Sequence, residues 1–188
     1  MDMRPPPKTL QQELKNESQD ALSDSAIEWA SHGKVTVTEY ITLGQYKRIE
    51  DIPGILNNGS IIFYPVQSRF SGHYVCMWIH EGNLFYFDPY GFNITKNIYL
   101  SNYLTHHTGE RTQNLLPALI RDFQARGGHI YLNDYAYQDI NKPSVSTCGK
   151  HCLFRLHHKN LSHNQYKNYI KYKALSPDEI VTMLYFLT

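Results

Sequence analysis

The chain has 188 residues, 41% of them hydrophobic, and a formal net charge of +1. The length and composition suit one domain with a sizeable core. The low net charge excludes an overall positive field that would attract nucleic acid or an anionic membrane. Three cysteines, two of them four residues apart, exclude a disulfide framework and favour a reducing compartment. No apolar run approaches the roughly 18 residues that a membrane-spanning helix needs.

The N-terminal segment is polar and contains three consecutive prolines, and it lacks the apolar core of a secretion signal. We predict a mobile tail over residues 1–20, followed by a single domain over residues 21–188. Ser25 and Glu28 form a capping-box pattern, which predicts a short helix that ends at Gly33.

Runs of β-branched and aromatic residues predict the first strands. Residues 35–43 are interpreted as a strand or an extended segment, and residues 60–66 as a buried strand. Residues 72–80 and 84–91 flank the turn Glu81-Gly82-Asn83 and predict an antiparallel hairpin, whose second strand ends at Pro89.

Two polar residues lie at the open end of this hairpin. His73 begins its first strand and Asp88 ends its second. A two-residue turn places the two side chains on the same face of the sheet, whereas a three-residue loop places them on opposite faces. Diagonal neighbours on one face are roughly 7–8 Å apart, so the imidazole and the carboxylate can meet. For either residue alone, we favour the simpler interpretation, a surface histidine and a strand-ending aspartate before proline.

The pattern after the hairpin predicts a sheet flanked by helices. Residues 92–112 are interpreted as an irregular loop, and residues 113–126 as an amphipathic helix that ends at the glycine pair 127–128. Residues 129–132 then form a strand. Strands followed by a helix and another strand indicate the α/β class, with a central mixed sheet between helical layers.

The most informative stretch is Ser146-Thr147-Cys148-Gly149-Lys150-His151-Cys152. Ser146 or Thr147 can cap a helix, and apolar residues follow at helical spacing, which places Cys148 in the first turn of a buried helix. The positive end of a helix dipole favours a thiolate there. The alternative is that Cys148 is a small buried hydrophobe, as most free cysteines are.

A thiol nucleophile also needs donors for the oxyanion that develops during acyl transfer. The backbone N–H of Cys148 and one side-chain amide supply two such donors. Asn133, Gln138 and Asn141 all satisfy the spacing, with Gln138 ten residues before the cysteine.

Residues 150–173 are rich in lysine, arginine and histidine, with tyrosines interleaved. Such a stretch is typical either of a nucleic-acid-binding face or of a solvated helix face with tyrosines packed beneath it, and we favour the second interpretation. Ser176-Pro177-Asp178-Glu179 is a strong helix start, so a last helix follows.

The order of these motifs resembles the adenovirus maturation protease family, adenain, and more closely the adenain-like proteases of virophages, Maverick/Polinton elements and large DNA viruses. The SUMO-protease family shares the order more distantly. The resemblance spans about residues 60–188 and rests on four motifs: Gly72-His73, Phe87-Asp88-Pro89-Tyr90-Gly91, Gln138 and Ser146-Thr147-Cys148-Gly149. Carried over by position, it implies Cys148 as nucleophile, His73 as general base, Asp88 as its orienter and Gln138 as oxyanion donor.

The resemblance implies an α/β cysteine-protease fold and an endopeptidase that cleaves viral capsid and core precursors during maturation, in the virion and the virus factory of the host cell. It implies no cofactor or metal in the reaction, although adenain is activated by DNA and by a viral peptide. Two departures stand out: Tyr74 replaces the usual tryptophan, and Gln138 lies further from the cysteine than is usual.

Three other functions fit the same residues. A SUMO- or ubiquitin-directed isopeptidase would use the same catalytic set. A catalytically silent capsid-associated module is the non-enzyme alternative. A zinc site from Cys148, His151 and Cys152 is the third, although it lacks a fourth ligand and the helical spacing crowds the three side chains.

Overall fold

The protein is described from a computed structural model, and the description covers residues 8–142, 146–171 and 175–185. A mixed sheet lies between two layers of helices, as the α/β prediction requires. The helices of the described residues are α1 Lys8–Glu17, α2 Asp24–Ala30, α3 Ile94–Leu100, α4 Asn102–His107, α5 Glu110–Gln113, α6 Leu115–Ala125, α7 Cys148–His157, α8 His163–Ile170 and α9 Pro177–Tyr185. None of these helices combines the length and the apolar character that crossing a membrane requires.

The sheet has the spatial order β1-β2-β3-β4-β5. Its two outer pairs, β1 with β2 and β4 with β5, are parallel, and the two inner pairs are antiparallel. The strands are β1 Thr36–Glu39, β2 Ser60–Ser68, β3 Ser71–His80, β4 Asn83–Phe87 and β5 Ile130–Leu132. Only the start of the predicted strand over residues 35–43 is extended, because a 3₁₀ segment, Tyr40–Gln45, follows it.

Each face of the sheet contributes to its own hydrophobic core, because side chains alternate along a strand. On one face Tyr74, Cys76 and Trp78 of β3 pack with α2, α7, α8 and α9. On the other face Val75 and Met77 pack with α3, α4 and α6. The central strands are therefore buried on both sides.

The predicted hairpin is confirmed, including its parity. β3 and β4 are joined by the two residues Glu81 and Gly82, with His80 paired to Asn83. Both turn residues have positive φ, 49° and 74°, which matches the twist of a tight two-residue hairpin. In this register Asp88 follows the strand directly and lies on the same face as His73.

The interpretation of residues 92–112 as an irregular loop is wrong, because this stretch folds into α3, α4 and α5. The helix starts are set by side-chain caps that accept backbone N–H groups. Asn93 accepts from Lys96 at 2.8 Å, and Ser101 accepts from Leu104 at 3.0 Å. These helices are short and mostly exposed, so their apolar periodicity is weak in the sequence.

The predicted tail over residues 1–20 needs a similar correction. Residues 1–7 lie outside the described residues, but Lys8–Glu17 form helix α1. Leu14 of α1 is only 4% exposed, and this helix packs beside α9. A single buried leucine gives no periodic signal, whereas a matching surface elsewhere in the chain is enough to dock the helix.

Two other predicted helices are confirmed. α6 buries Leu116, Leu119, Ile120 and Phe123 on one face. α9 begins at Pro177, and its capping box is formed: Ser176 Oγ accepts from Glu179 N at 3.3 Å, while Glu179 accepts from Ser176 N at 2.8 Å.

Candidate active site

The predicted helix at the cysteine is confirmed, and Cys148 is its first residue. α7 lies across β3, and Cys148 is 8% exposed at the end of the sheet where β3 begins. The first N–H groups of a helix have no partner within the helix, so they point towards the thiol and towards any group bound beside it. This placement gives Cys148 a positive local field.

His73 and Asp88 form a buried pair at the open end of the hairpin. Nε2 of His73 lies 3.1 Å from Oδ1 of Asp88, and the two residues are 5% and 0% exposed. Because Nε2 faces the carboxylate, Nδ1 is the nitrogen left for the thiol. Nδ1 is buried and makes no well-aligned hydrogen bond with any described residue.

The Asp88 carboxylate is held from several directions. Its Oδ1 also accepts the backbone N–H of Tyr90 at 2.6 Å, and its Oδ2 accepts the side-chain amide of Asn97. The same Asn97 Nδ2 donates to the hydroxyl of Tyr86 at 2.9 Å. A carboxylate bonded in this way keeps one orientation, which is what an orienting group for imidazole requires.

The thiol and the imidazole change each other's protonation. Burial raises the pKa of Cys148, but the nearby His73 and the backbone N–H groups of Tyr74 and Gly149 outweigh it, so the pKa falls below its ordinary value. Burial lowers the pKa of His73, whereas the negative charges of Asp88 and Cys148 raise it to about 10. Both shifts favour a thiolate beside an imidazolium, the form in which a cysteine is nucleophilic.

Gln138 reaches this site through Tyr90. The ring of Tyr90 stacks on His73 with centroids 4.4 Å apart, and Gln138 Nε2 donates to the Tyr90 hydroxyl at 3.3 Å. The backbone N–H of Gln138 also donates to Pro89 O at 2.9 Å. Gly91 permits this approach, because its φ is +70° and an added Cβ would lie 2.9 Å from Tyr135 C.

The two asparagines that the spacing left open have other positions. Asn133 brackets the backbone of Asp88: its Oδ1 accepts from Asp88 N at 2.8 Å, and its Nδ2 donates to Asp88 O at 2.7 Å. Nδ2 also donates to Tyr135 O at 3.1 Å, so the Asn133 amide holds the backbone around Asp88. Asn141 is exposed in a turn, where its N–H donates to Asp139 Oδ1 at 3.0 Å.

Tyr74, the residue in place of the usual tryptophan, binds the N-terminal segment. Its hydroxyl donates to Asp24 Oδ1 at 2.6 Å. A Cβ added at Gly149 would lie 3.3 Å from Leu22 Cβ and 3.5 Å from Tyr74 Cδ2. Gly149 is therefore packed against Leu22, Ile27 and Tyr74 of the same chain.

The basic stretch over residues 150–173 does not form one surface. Lys150 is buried and donates to the carbonyls of Glu17 and Asp20 at 2.6 and 3.2 Å. Arg155 is fully buried, donates to His158 O and Leu161 O at 2.7 Å each, and lies over Trp78. Lys167 and Lys171 flank the ring of Tyr135, and Lys173 lies outside the described residues.

Among the described residues, no group of three or more histidine, cysteine, aspartate or glutamate side chains is arranged to hold a metal ion. Cys148 and Cys152 are free thiols, and His151 pairs with Asp178.

Sequence reasoning missed Asn97, Asn133 as a support of Asp88, and the buried pair His151–Asp178. Asn97 lies close to Ile98 and Ser101 on the buried side of α3. That helical spacing could have indicated its burial, but residues 92–112 were interpreted as a loop. The sequence matches no protein-family profile, and a search of curated proteins finds no match for it.

Proposed function

We propose that this protein is a cysteine endopeptidase with Cys148 as nucleophile, His73 as general acid and base, and Asp88 as the residue that orients His73. The observation that carries the proposal is the buried row of three groups, in which His73 bonds Asp88 through Nε2 and pairs electrostatically with a thiol at a helix N-terminus. A structural cysteine does not require a depressed pKa or a histidine held by a buried carboxylate.

The proposed reaction follows from this arrangement. The Cys148 thiolate attacks the carbonyl carbon of the scissile amide, and the resulting oxyanion accepts hydrogen bonds from the Cys148 N–H and Gln138 Nε2. His73 transfers its Nδ1 proton to the leaving amine, which departs and leaves a thioester. Water then loses a proton to His73 and attacks the thioester, which releases the acid and restores the thiolate and imidazolium pair.

The proposed substrates come from the resemblance to adenain-like proteases. They are capsid and core precursors of a DNA virus or virus-like element, cleaved in the virion or the virus factory, often beside small residues such as glycine. An isopeptidase directed at SUMO or ubiquitin would use the same chemistry. A fluorogenic substrate with a diglycine-tailed modifier separates the two, because only the isopeptidase requires the modifier.

The test is peptide and precursor cleavage by purified variants. C148A should abolish cleavage while circular dichroism stays unchanged, and H73A should be about as damaging, because the pair acts as a unit. Q138A should lower kcat roughly 10²-fold with little change in KM, since an oxyanion donor acts in the transition state.

Cys152 provides the matched control for Cys148. It lies on the same helix and is fully buried, and burial raises the pKa of its thiol well above the ordinary value. C152A should therefore retain cleavage. Activity in C148A above about one per cent of wild type would overturn the nucleophile assignment. An inactive wild type with an unreactive Cys148 towards iodoacetamide would instead support the catalytically silent alternative.

A further inference from the structure

A second buried carboxylate lies beside the nucleophile. Asp178 is in the first turn of α9, and it is 7% exposed. Its Oδ1 is 3.0 Å from Nε2 of His151, which is completely buried one turn after Cys148 on α7. A carboxylate at a helix N-terminus is stabilised by the helix dipole, so α9 favours the charged acceptor there.

The same carboxylate oxygen accepts a second hydrogen bond from the hydroxyl of Thr147. Thr147 is the N-cap residue of α7 and directly precedes the nucleophile. A threonine at this position ordinarily turns its hydroxyl back to accept an N–H of the first turn. Here the hydroxyl donates to Asp178, and no side-chain capping bond is present.

Asp178 therefore holds the two residues that bracket Cys148, one before it and one a turn after it. This arrangement fixes the first turn of α7, which carries Cys148, against α9.

The cluster borders the same space as the other site residues. The ring of His151 lies 6.2 Å from that of Tyr137, which directly precedes Gln138. Burial raises the pKa of Tyr90, and the negative charges of Cys148, Asp88 and Asp178 raise it further.

We infer that Asp178 is a positioning residue of this active site: through Thr147 and His151 it fixes the N-terminal turn of α7, so that Cys148 faces His73. The inference rests on the proposed function. It adds the carboxylate of Asp178, on α9, to the proposed catalytic set of Cys148, His73 and Asp88.

Thr147 allows a matched test, because serine keeps its hydroxyl and valine keeps its shape. We expect T147V to lower kcat about tenfold with KM within about twofold, because small displacements of a nucleophile are costly in rate. T147S should remain close to wild type. D178A should lose at least as much as T147V, and the double variant T147V/D178A no more than D178A alone, since both changes break one tie.

A second readout needs no substrate. The rate at which iodoacetamide alkylates Cys148 should fall in T147V and D178A but not in T147S, with circular dichroism of all folded variants unchanged. If D178A fails to fold, T147V against T147S still decides the question. Equal kcat and equal alkylation rates for T147V and T147S would overturn the inference, even if T147V melts at a lower temperature.

The two failures remain distinguishable. If wild type cleaves no peptide, the proposed function fails, whereas the alkylation comparison still reports whether Asp178 positions the thiol. If wild type cleaves peptides and C148A does not, while T147V is fully active, only the positioning role of Asp178 is lost.

Discussion

The reactivity of the Cys148 thiol depends on the protonation states of Cys148 and His73. The pKa of Cys148 is lowered and that of His73 is raised to about 10, so the charged pair exists over the interval between the two values. The two groups titrate as a coupled unit, and each depends on the charge of the other.

We predict that the alkylation rate of Cys148 rises with pH through a midpoint below the ordinary thiol value, and that kcat/KM falls again as His73 loses its proton near pH 10. In H73A the acid-side midpoint should move to higher pH, because only the backbone N–H groups of Tyr74 and Gly149 then oppose the effect of burial on the thiol pKa. The measurement is an iodoacetamide pH profile in a C152A background. An unshifted midpoint in H73A would show that the histidine does not lower the pKa of the thiol.

Asn97 is the residue whose role in supporting Asp88 is most easily isolated. N97A removes the donor to Asp88 Oδ2 and leaves a buried carboxylate oxygen without it, so we expect the free energy of unfolding to fall by about 1–3 kcal/mol. Activity should fall as well, because His73 is then oriented by a less constrained carboxylate. Chemical denaturation and kcat are the two measurements.

Asn93 supplies the control from the same helix. It caps α3 from an exposed position, so N93A should cost about 1 kcal/mol of stability and leave kcat unchanged. A similar loss of kcat in both variants would mean that Asn97 acts only by holding α3 in place.

At the scale of elements, the N-terminal segment supports helix α7, which begins at Cys148. Ser146 N donates to Ser18 O at 2.8 Å, and Lys150 of α7 donates to Glu17 O and Asp20 O. Burial lowers the pKa of Lys150, so its charge depends on these carbonyls and on the nearby carboxylates of Asp20 and Glu17. Residues 17–20 are therefore part of the support of α7.

Two leucines of α1 test this docking. L14A should lower the free energy of unfolding by about 2–5 kcal/mol, because it empties a buried position against α9. Leu10 is 36% exposed on the same helix, so L10A should stay within about 0.5 kcal/mol of wild type. Thermal or chemical unfolding measures both, and equal stabilities would indicate that α1 does not dock.

For the whole molecule, the low net charge and the burial of basic side chains limit how strongly residues 150–173 can bind nucleic acid. The formal net charge is only +1, and Lys150 and Arg155 are internal. Lys159, Lys167 and Lys171 are the more accessible lysines of that stretch in the part of the chain that the structure describes. A surface with about three cations binds a duplex weakly, with a slope of log affinity against log salt of roughly −2 to −3.

We therefore predict that the protein binds double-stranded DNA weakly at low salt and does not bind it at moderate salt. Any stimulation of cleavage by DNA should disappear over the same range of salt. K167E/K171E should abolish the binding, measured by fluorescence polarisation of a labelled duplex. R111E/R121E changes exposed arginines associated with the opposite helical layer and should leave the binding unchanged. Binding that survives K167E/K171E would place the DNA contact elsewhere.

The sequence by itself determined those features that depend on neighbours along the chain. The helix that starts at Cys148, the Glu81-Gly82 turn, the amphipathic face of α6 and the capping box of α9 all follow from local periodicity and turn chemistry. Turn length then fixed the face of Asp88 relative to His73, because side-chain direction alternates strictly along a strand.

The tertiary structure alone decided which side chains support these groups. Asn97 and Asn133 bond Asp88, and Asp178 bonds Thr147 and His151, across 9 to 45 residues of sequence. None of these polar residues belongs to a periodic pattern, so each one is equally compatible with a solvated surface until the elements pack. The docking of α1 was decided in the same way, because Leu14 becomes buried only when α1 packs beside α9.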